Sequence, residues 1–432
     1  MQQNDQLYSF LIEVYKQITP KRVYPWIKAD TKGRGVLRRL DFASGFSIEN
    51  DNKHKILDED DNLNGLLRIF NNTLKQNKYD EADITIIKNF IDSIEQTCED
   101  VKDVLRKFLI ADFKTSNDRA VSLLENNRCT TYTNGLENYL LHETKLYRLR
   151  KMDRPREKRI LEFFHIPFRE RYLMGTYRYS IPGYPSLYCA ASVYGAWEEM
   201  DRKALNEFGY AIFKVKEDFR LLDLRWRFED EELIKNGDKL KNYLLRLPII
   251  IACSMQVKHS RDRFVPEYIF PQQIFKWLMD RLQETNSFND DILGVIYTSN
   301  KPTVWEELCK SGETRMGEGD ERLLTYRLKE ITNYALLAYL PIDGPFSKYS
   351  YHLGLKLDAK TPYWLRKPAS AFESSYQTLH KIQDELNATK TWRNVGEEMW
   401  EDEYPSQKID REQIFENMLR KFINMTKSKN IN

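Results

Sequence analysis

Ile84, Ile87, Ile91, Ile94, Cys98, Val101, Leu105 and Phe108 follow one another at alternating intervals of three and four residues. A strand cannot use such a pattern, because its side chains alternate with period two. The spacing predicts one long amphipathic helix with its apolar stripe on a single face, and Asp83 stands just before the stripe, where it could cap the first turn. A shorter amphipathic stretch covers Leu63 to Leu74, and the polar run between Asp30 and Asp61 reads as loop. Residues 1–125 are therefore expected to form a helical N-terminal domain that packs on the rest of the chain, binds a partner or regulates it.

From about residue 140 the texture changes to short apolar runs separated by turns. Ser186 to Ala191, Ala211 to Val215, Leu221 to Leu224, Ile249 to Ser254, Ile292 to Tyr297 and Tyr334 to Leu340 read as strands. Helices are expected between some of them, at Val193 to Phe208 and Pro271 to Glu284, where Ile274, Trp277, Leu278 and Leu282 share a face. The pattern implies a mixed α/β domain over residues 140–345 and an α+β chain as a whole. Residues 346–432 are expected to be a helical C-terminal extension, with helices at Ala369 to Asn387 and Glu412 to Met425.

Composition narrows the class. The chain has 432 residues, 41% of them hydrophobic, enough for a packed core. Sixty-seven Lys and Arg against 65 Asp and Glu leave a net charge of +2. That balance disfavours nucleic acid and anionic membrane as partners, though it leaves room for a local anion pocket. No apolar run approaches the ~20 residues of a membrane span. No basic and apolar leader is visible at the start. The five cysteines are far apart, fit neither a zinc set nor a disulfide framework, and point to reduced thiols in a cytoplasmic protein. No metal ligand set is expected.

The stretch from Leu146 to Met200 carries the chemistry. Ile181-Pro-Gly-Tyr-Pro185 is a rigid turn that delivers the chain into a strand at Leu187 to Ala190. That strand feeds a helix bearing Glu198 and Glu199. Arg148 and Arg178 are candidate anion ligands, since a guanidinium fork matches phosphate oxygens. Tyr179, Tyr188 and Tyr297 offer flat faces for a base or a nicotinamide ring. Two arginines, a carboxylate, aromatics and a hydroxyl suit a dinucleotide with a cleavable glycosidic bond, but each residue type is common by itself.

The order of these pieces resembles the RES domain family, named for an Arg, a Glu and a Ser. The resemblance covers residues 140–345. It rests on Tyr147-Arg148 at the end of a strand, Arg178-Tyr179 before Pro182-Gly183, and Leu187-Tyr188 followed eleven residues after the Tyr by Glu199. Further on come Leu222-Asp-Leu224, Pro271-Gln272, and Gly294-Val-Ile-Tyr297-Thr-Ser299. Tyr177-Arg178-Tyr179 stands where the family has Gly-Arg-Phe. The adjacent Glu198 offers a second carboxylate, Leu149 replaces a second aromatic, and the chain is longer than a minimal member.

The resemblance implies an ADP-ribosyltransferase-like fold and cleavage of the nicotinamide–ribose bond of NAD, as a toxin or immunity effector held in check by an antitoxin or regulatory partner. It implies catalytic roles for Glu199, Arg148 and Ser299, with Glu198 the alternative to Glu199. Arg178, Tyr179, Tyr188 and Tyr297 would bind substrate. NAD is then a substrate, with inorganic phosphate or water as the nucleophile, and neither cofactor nor metal is called for. Two other readings stay open: transfer of ADP-ribose to a macromolecule, and a non-catalytic nucleotide-binding module.

Other motifs carry less. Arg159 and His165 have the spacing of a ribonuclease pair, but Pro167 breaks the helix such a pair needs. His259 sits in a basic loop, and Cys189 and Cys253 read as buried. Thr31-Lys-Gly-Arg-Gly35 lacks the spacing of a phosphate-binding loop.

Overall fold

The structure is a computed structural model that describes residues 5–28, 63–126, 137–151, 163–201, 208–257, 264–285, 292–311, 328, 331–338 and 357–364. In chain order the helices are α1 (Asp5–Lys16), α2 (Pro20–Ile27), α3 (Leu63–Gln76), α4 (Glu81–Leu109), α5 (Phe113–Asn126), α6 (Val193–Glu199), α7 (Glu231–Ile234), α8 (Gly237–Ser254), α9 (Ile269–Thr285) and α10 (Pro302–Ser311). The strands are β1 (Glu137–Leu140), β2 (Lys145–Lys151), β3 (Ser186–Ala190), β4 (Phe208–Val215), β5 (Phe219–Leu224), β6 (Ile292–Thr298), β7 (Thr332–Leu337) and β8 (Leu357–Trp364). They form one sheet in the order β1-β5-β6-β7-β3-β2-β4-β8. Only the β5–β6 pair among them is parallel. The α+β class expected from the sequence is the observed one.

The 3–4 stripe forms α4, 29 residues long, and it buries Ile87, Ile91, Ile94, Cys98, Val101 and Leu105. Asp83 does not cap it. Asp80 occupies the N-cap and makes no side-chain bond there, while Glu81 and Asp83 put negative charge in the first turn, where the helix dipole favours it. Helix α2 starts conventionally, with Pro20 inside the first turn and the Thr19 hydroxyl accepting from Arg22 N.

Two expectations fail in physically clear ways. The apolar run Ile249 to Ser254 is not a strand but the second half of α8, and it is buried throughout. A short all-apolar run has no period of its own. The decision is made upstream, where the Asn236 side chain accepts from Lys239 N at 3.0 Å and starts the helix. The helix after β3 stops at Glu199 instead of running to Phe208. Met200 N–H and Asp201 N–H fold back on Trp197 O and Glu198 O, and Asp201 takes the left-handed φ of 59° that ends a helix.

The sheet also reaches beyond residue 345, since β8 pairs antiparallel with β4. The helices expected at Ala369 to Asn387 and Glu412 to Met425 lie outside the described residues, as do Arg159 and His259. Helices α1, α3 and α4 pack on α8, helix α5 packs on α9, and α2 packs on α10. Their apolar faces join those of the sheet in a single buried cluster. Among the described residues, no helix is long and apolar enough to cross a membrane.

Candidate active site

The turn before β3 has the geometry its residues dictate. Tyr184 N–H donates to Ile181 O at 2.9 Å, with Pro182 and Gly183 between them, and Gly183 takes a φ of 86°. Pro then Gly with positive φ is the type II arrangement. The strand that follows pairs with β2 on one side and β7 on the other. Ser192 then caps α6, accepting from Gly195 N at 2.7 Å.

Helix α6 is short and sets two glutamates in different directions. Glu198 is buried, and its carboxylate accepts from the Thr303 hydroxyl at 3.3 Å. Glu199 is half-buried and turns toward the ends of β6 and β7. Its Oε1 accepts from Ser299 Oγ at 2.5 Å and from Asn333 Nδ2 at 2.7 Å. No described residue donates to its Oε2. Ser299 is itself fixed by its backbone, with its N–H donating to Ile331 O and its carbonyl accepting from Trp305 Nε1 at 2.9 Å. The fold thus brings Glu199 and Ser299 together across 100 residues of sequence.

Arg178 approaches from the loop before β3. Its Nη1 donates to Cys253 O at 2.7 Å and its Nη2 to Met255 O at 2.8 Å. These carbonyls belong to the open C-terminal end of α8, where a cation is favoured. The guanidinium lies 5.1 Å from the Tyr268 ring centroid. The Tyr268 phenol is held above its ordinary pKa by burial, with the Arg178 and Lys301 charges opposing and the Glu199 charge adding to the rise. Burial and then the Glu199 carboxylate raise Tyr297 well above its usual value. Glu199, Arg178, Tyr268, Tyr297 and Lys301 therefore share one electrostatic neighbourhood.

The remaining tyrosines differ in role. The Tyr188 phenol accepts from Tyr179 N at 2.9 Å and lies 3.3 Å from Ser180 Oγ, so it ties β3 back to the arginine loop. Burial pushes it up to about 12. Tyr179, expected to face substrate, is 1% exposed and packs its ring 4.9 Å from that of Tyr297. No face of it is left for a ligand. Its contribution to the site is its backbone.

Arg148 lies on β2 and donates from Nη1 to Tyr188 O at 2.7 Å. Its Nε is buried with no partner among the described residues, and burial pulls its pKa below the ordinary arginine value. The charges felt at Arg148 come from Cys189, Arg150, Tyr177 and Tyr188, so no described carboxylate balances it. It makes no hydrogen bond to Glu199, Ser299 or Arg178, and it meets the site through Tyr188. His165 stands close enough for Arg148 to oppose its protonation, and burial is the larger reason its pKa falls to about 4.

Three residues of the site escape a sequence reading. Asn333 sits at the start of β7, where its amide is 2% exposed and its Oδ1 has no partner among the described residues. Lys301 precedes α10 and pairs with Asp201 Oδ1 at 2.6 Å. Burial opposes its charge, but the Glu199 and Asp201 carboxylates outweigh that and hold its pKa above the normal lysine value. Tyr268 lies under the Arg178 guanidinium. The sequence offers one weak signal, an asparagine immediately before the apolar run Tyr334 to Leu340. Among the described residues, no group of three or more His, Cys, Asp or Glu gathers where it could share a metal ion.

No protein-family model matches the chain, and no solved structure matches it. The chain is 30% identical over 240 residues to a protein of Bacillus subtilis (strain 168) named "Putative toxin YopC". The match takes in 52% of this chain and 51% of that protein, so the chain spans about half the length of the curated relative it resembles.

Proposed function

We propose that this chain cleaves the nicotinamide–ribose bond of NAD and acts as a toxin, as a RES-type enzyme would. The observation that carries the reading is the clasp on Glu199: one carboxylate oxygen fixed by Ser299 and Asn333, the other with no donor among the described residues. Breaking the bond sends its electron pair to the ring nitrogen, so nicotinamide leaves neutral and positive charge develops on the ribose. A carboxylate oxygen held in place beside that carbon stabilises the charge without reorganising. A new C–O bond then forms to water or to inorganic phosphate. Water gives ADP-ribose and releases a proton, whereas phosphate gives ADP-ribose-1''-phosphate.

The other residues fit this chemistry. Arg178 spends one N–H of each Nη on the end of α8 and keeps the others for pyrophosphate oxygens. Arg148 is a buried cation with no described carboxylate, and a bound phosphate would supply its counter-charge. Tyr297, half-buried beside Glu199, is placed to pack on the ribose or nicotinamide. The toxin half of the reading leans on the name of the similar protein. Loss of NAD would harm the host cell, so an inhibitory partner belongs to the proposal.

The test is nicotinamide release from NAD by the purified chain, with and without inorganic phosphate, beside Glu199→Gln. Release by the wild type and not the variant is expected, and its phosphate dependence names the nucleophile. NAD left intact in the tube and in cells induced to make the protein would sink the reading. ADP-ribose found on protein or nucleic acid would replace it with a transferase.

A further inference from the structure

The helices that precede the sheet have no role in the proposed chemistry, yet one of them reaches the site by two routes. The first runs through aromatic rings. Tyr24 on α2 stacks on Trp305 at 6.2 Å between centroids, with 8° between the planes. Trp305 is fully buried, and Trp226 and Phe228 meet its edges at 85° and 88°. Those three rings pack around the indole, and its Nε1 donates to Ser299 O. The Tyr24 hydroxyl lies 3.4 Å from Glu306 Oε1, the residue after Trp305.

The second route runs through backbone. Gln256 N–H donates to Ile27 O, the last residue of α2, at 2.8 Å. The residue before Gln256 is Met255, whose carbonyl holds Arg178 Nη2. The same short helix therefore backs both the serine that clasps Glu199 and the end of α8 that holds Arg178.

We propose that α2 is a positioning element of the active site, with Tyr24 acting through Trp305 on Ser299. Ser299 sits just past the last residue of β6, held on its N–H side by Ile331 O and on its carbonyl side by the Trp305 indole. The indole bond is the part of that hold which α2 reaches. Removing the Tyr24 ring leaves space beside Trp305, lets the indole tilt, and loosens the Ser299 hydroxyl from Glu199. Misplacement of a group that positions a catalytic carboxylate lowers turnover more than substrate binding.

The turnover arm of the test rests on the NAD reading, and a second arm does not. In the full-length chain, Tyr24→Ala, Tyr24→Phe and Trp305→Phe are compared with wild type at a temperature where all stay folded. Tyr24→Ala and Trp305→Phe should lose roughly tenfold in kcat with KM nearly unchanged. Tyr24→Phe keeps the stacked ring and should restore wild-type turnover. Amide hydrogen exchange over residues 297–301 should speed up in Tyr24→Ala and Trp305→Phe, while β2 and β4 stay protected. Unchanged exchange at 297–301 in Tyr24→Ala overturns the proposal, as does an equal loss from Tyr24→Phe. A wild type that leaves NAD intact defeats the NAD reading alone, and the exchange result then still decides the role of α2.

Discussion

Asn333 is where the residue scale is most informative. Its Nδ2 holds Glu199 while its Oδ1 has no partner among the described residues, a costly state for a buried amide unless bound substrate supplies a donor. Asn333→Ala is expected to cut nicotinamide release by roughly tenfold to a hundredfold, the scale of losing one preorganised donor. Steady-state kinetics beside a melting curve will tell this from simple unfolding. His165 gives a prediction in pH. Its pKa falls to about 4 in the folded chain against about 6.5 when unfolded, chiefly through burial. Between those values the unfolded chain binds more protons, so stability declines as pH drops from about 6.5 toward 4. The loss amounts to roughly 3 kcal/mol from this group. Denaturant unfolding at pH 7 and pH 4.5 should show the slope, and His165→Phe should flatten it; an equal slope in the variant refutes the assignment. At this scale the sequence conveyed residue types well and neighbours poorly. Glu199 and Ser299 are legible as candidates, but only the fold shows that they touch. Tyr179 is expected to meet substrate because it is aromatic and follows Arg178, and neither fact reveals that the residue is 1% exposed.

Elements show what periodicity can and cannot decide. The 3–4 stripe of α4 is unambiguous because it repeats over seven intervals from Ile84 to Phe108. The run Ile249 to Ser254 is ambiguous because six apolar residues suit a buried strand or a buried helix equally. Its upstream cap at Asn236 settles the matter, and a cap is easily missed behind a charged, exposed turn. The strand carrying Tyr297 depends on close approach. A Cβ at Gly294 would intrude on Ala335 O across the β6–β7 ladder, and backbone cannot move aside as a side chain can. Gly294→Ala is therefore expected to destabilise the chain by about 3 kcal/mol, the upper end of overpacking costs. It should also displace the segment leading to Ser299. Chemical denaturation measures the first effect, and an undiminished midpoint would contradict the close contact.

For the molecule as a whole, the division into a helical N-terminal region and a strand-rich region is visible in sequence texture but not in the core. Helices α1, α3 and α4 cover α8, and α5 lies on α9, so the apolar residues of both regions form one cluster. That sharing is invisible in one dimension, because an apolar helix face does not name what covers it. A fragment beginning after residue 126 would leave the outer face of α8 in water. It is expected to aggregate on expression, while the full chain unfolds in one cooperative transition. A soluble fragment with a sharp melt would show the regions to be independent.

The spread of the clasp along the chain also has a consequence in time. Glu199 is followed 100 residues later by Ser299 and 134 residues later by Asn333. At roughly 5–20 residues per second of synthesis, the carboxylate waits on the order of ten seconds for its second partner. A nascent chain on the ribosome therefore carries an unassembled centre until β7 has been made. A cell producing this protein thus has an interval in which a guardian molecule could meet the polypeptide before it can act.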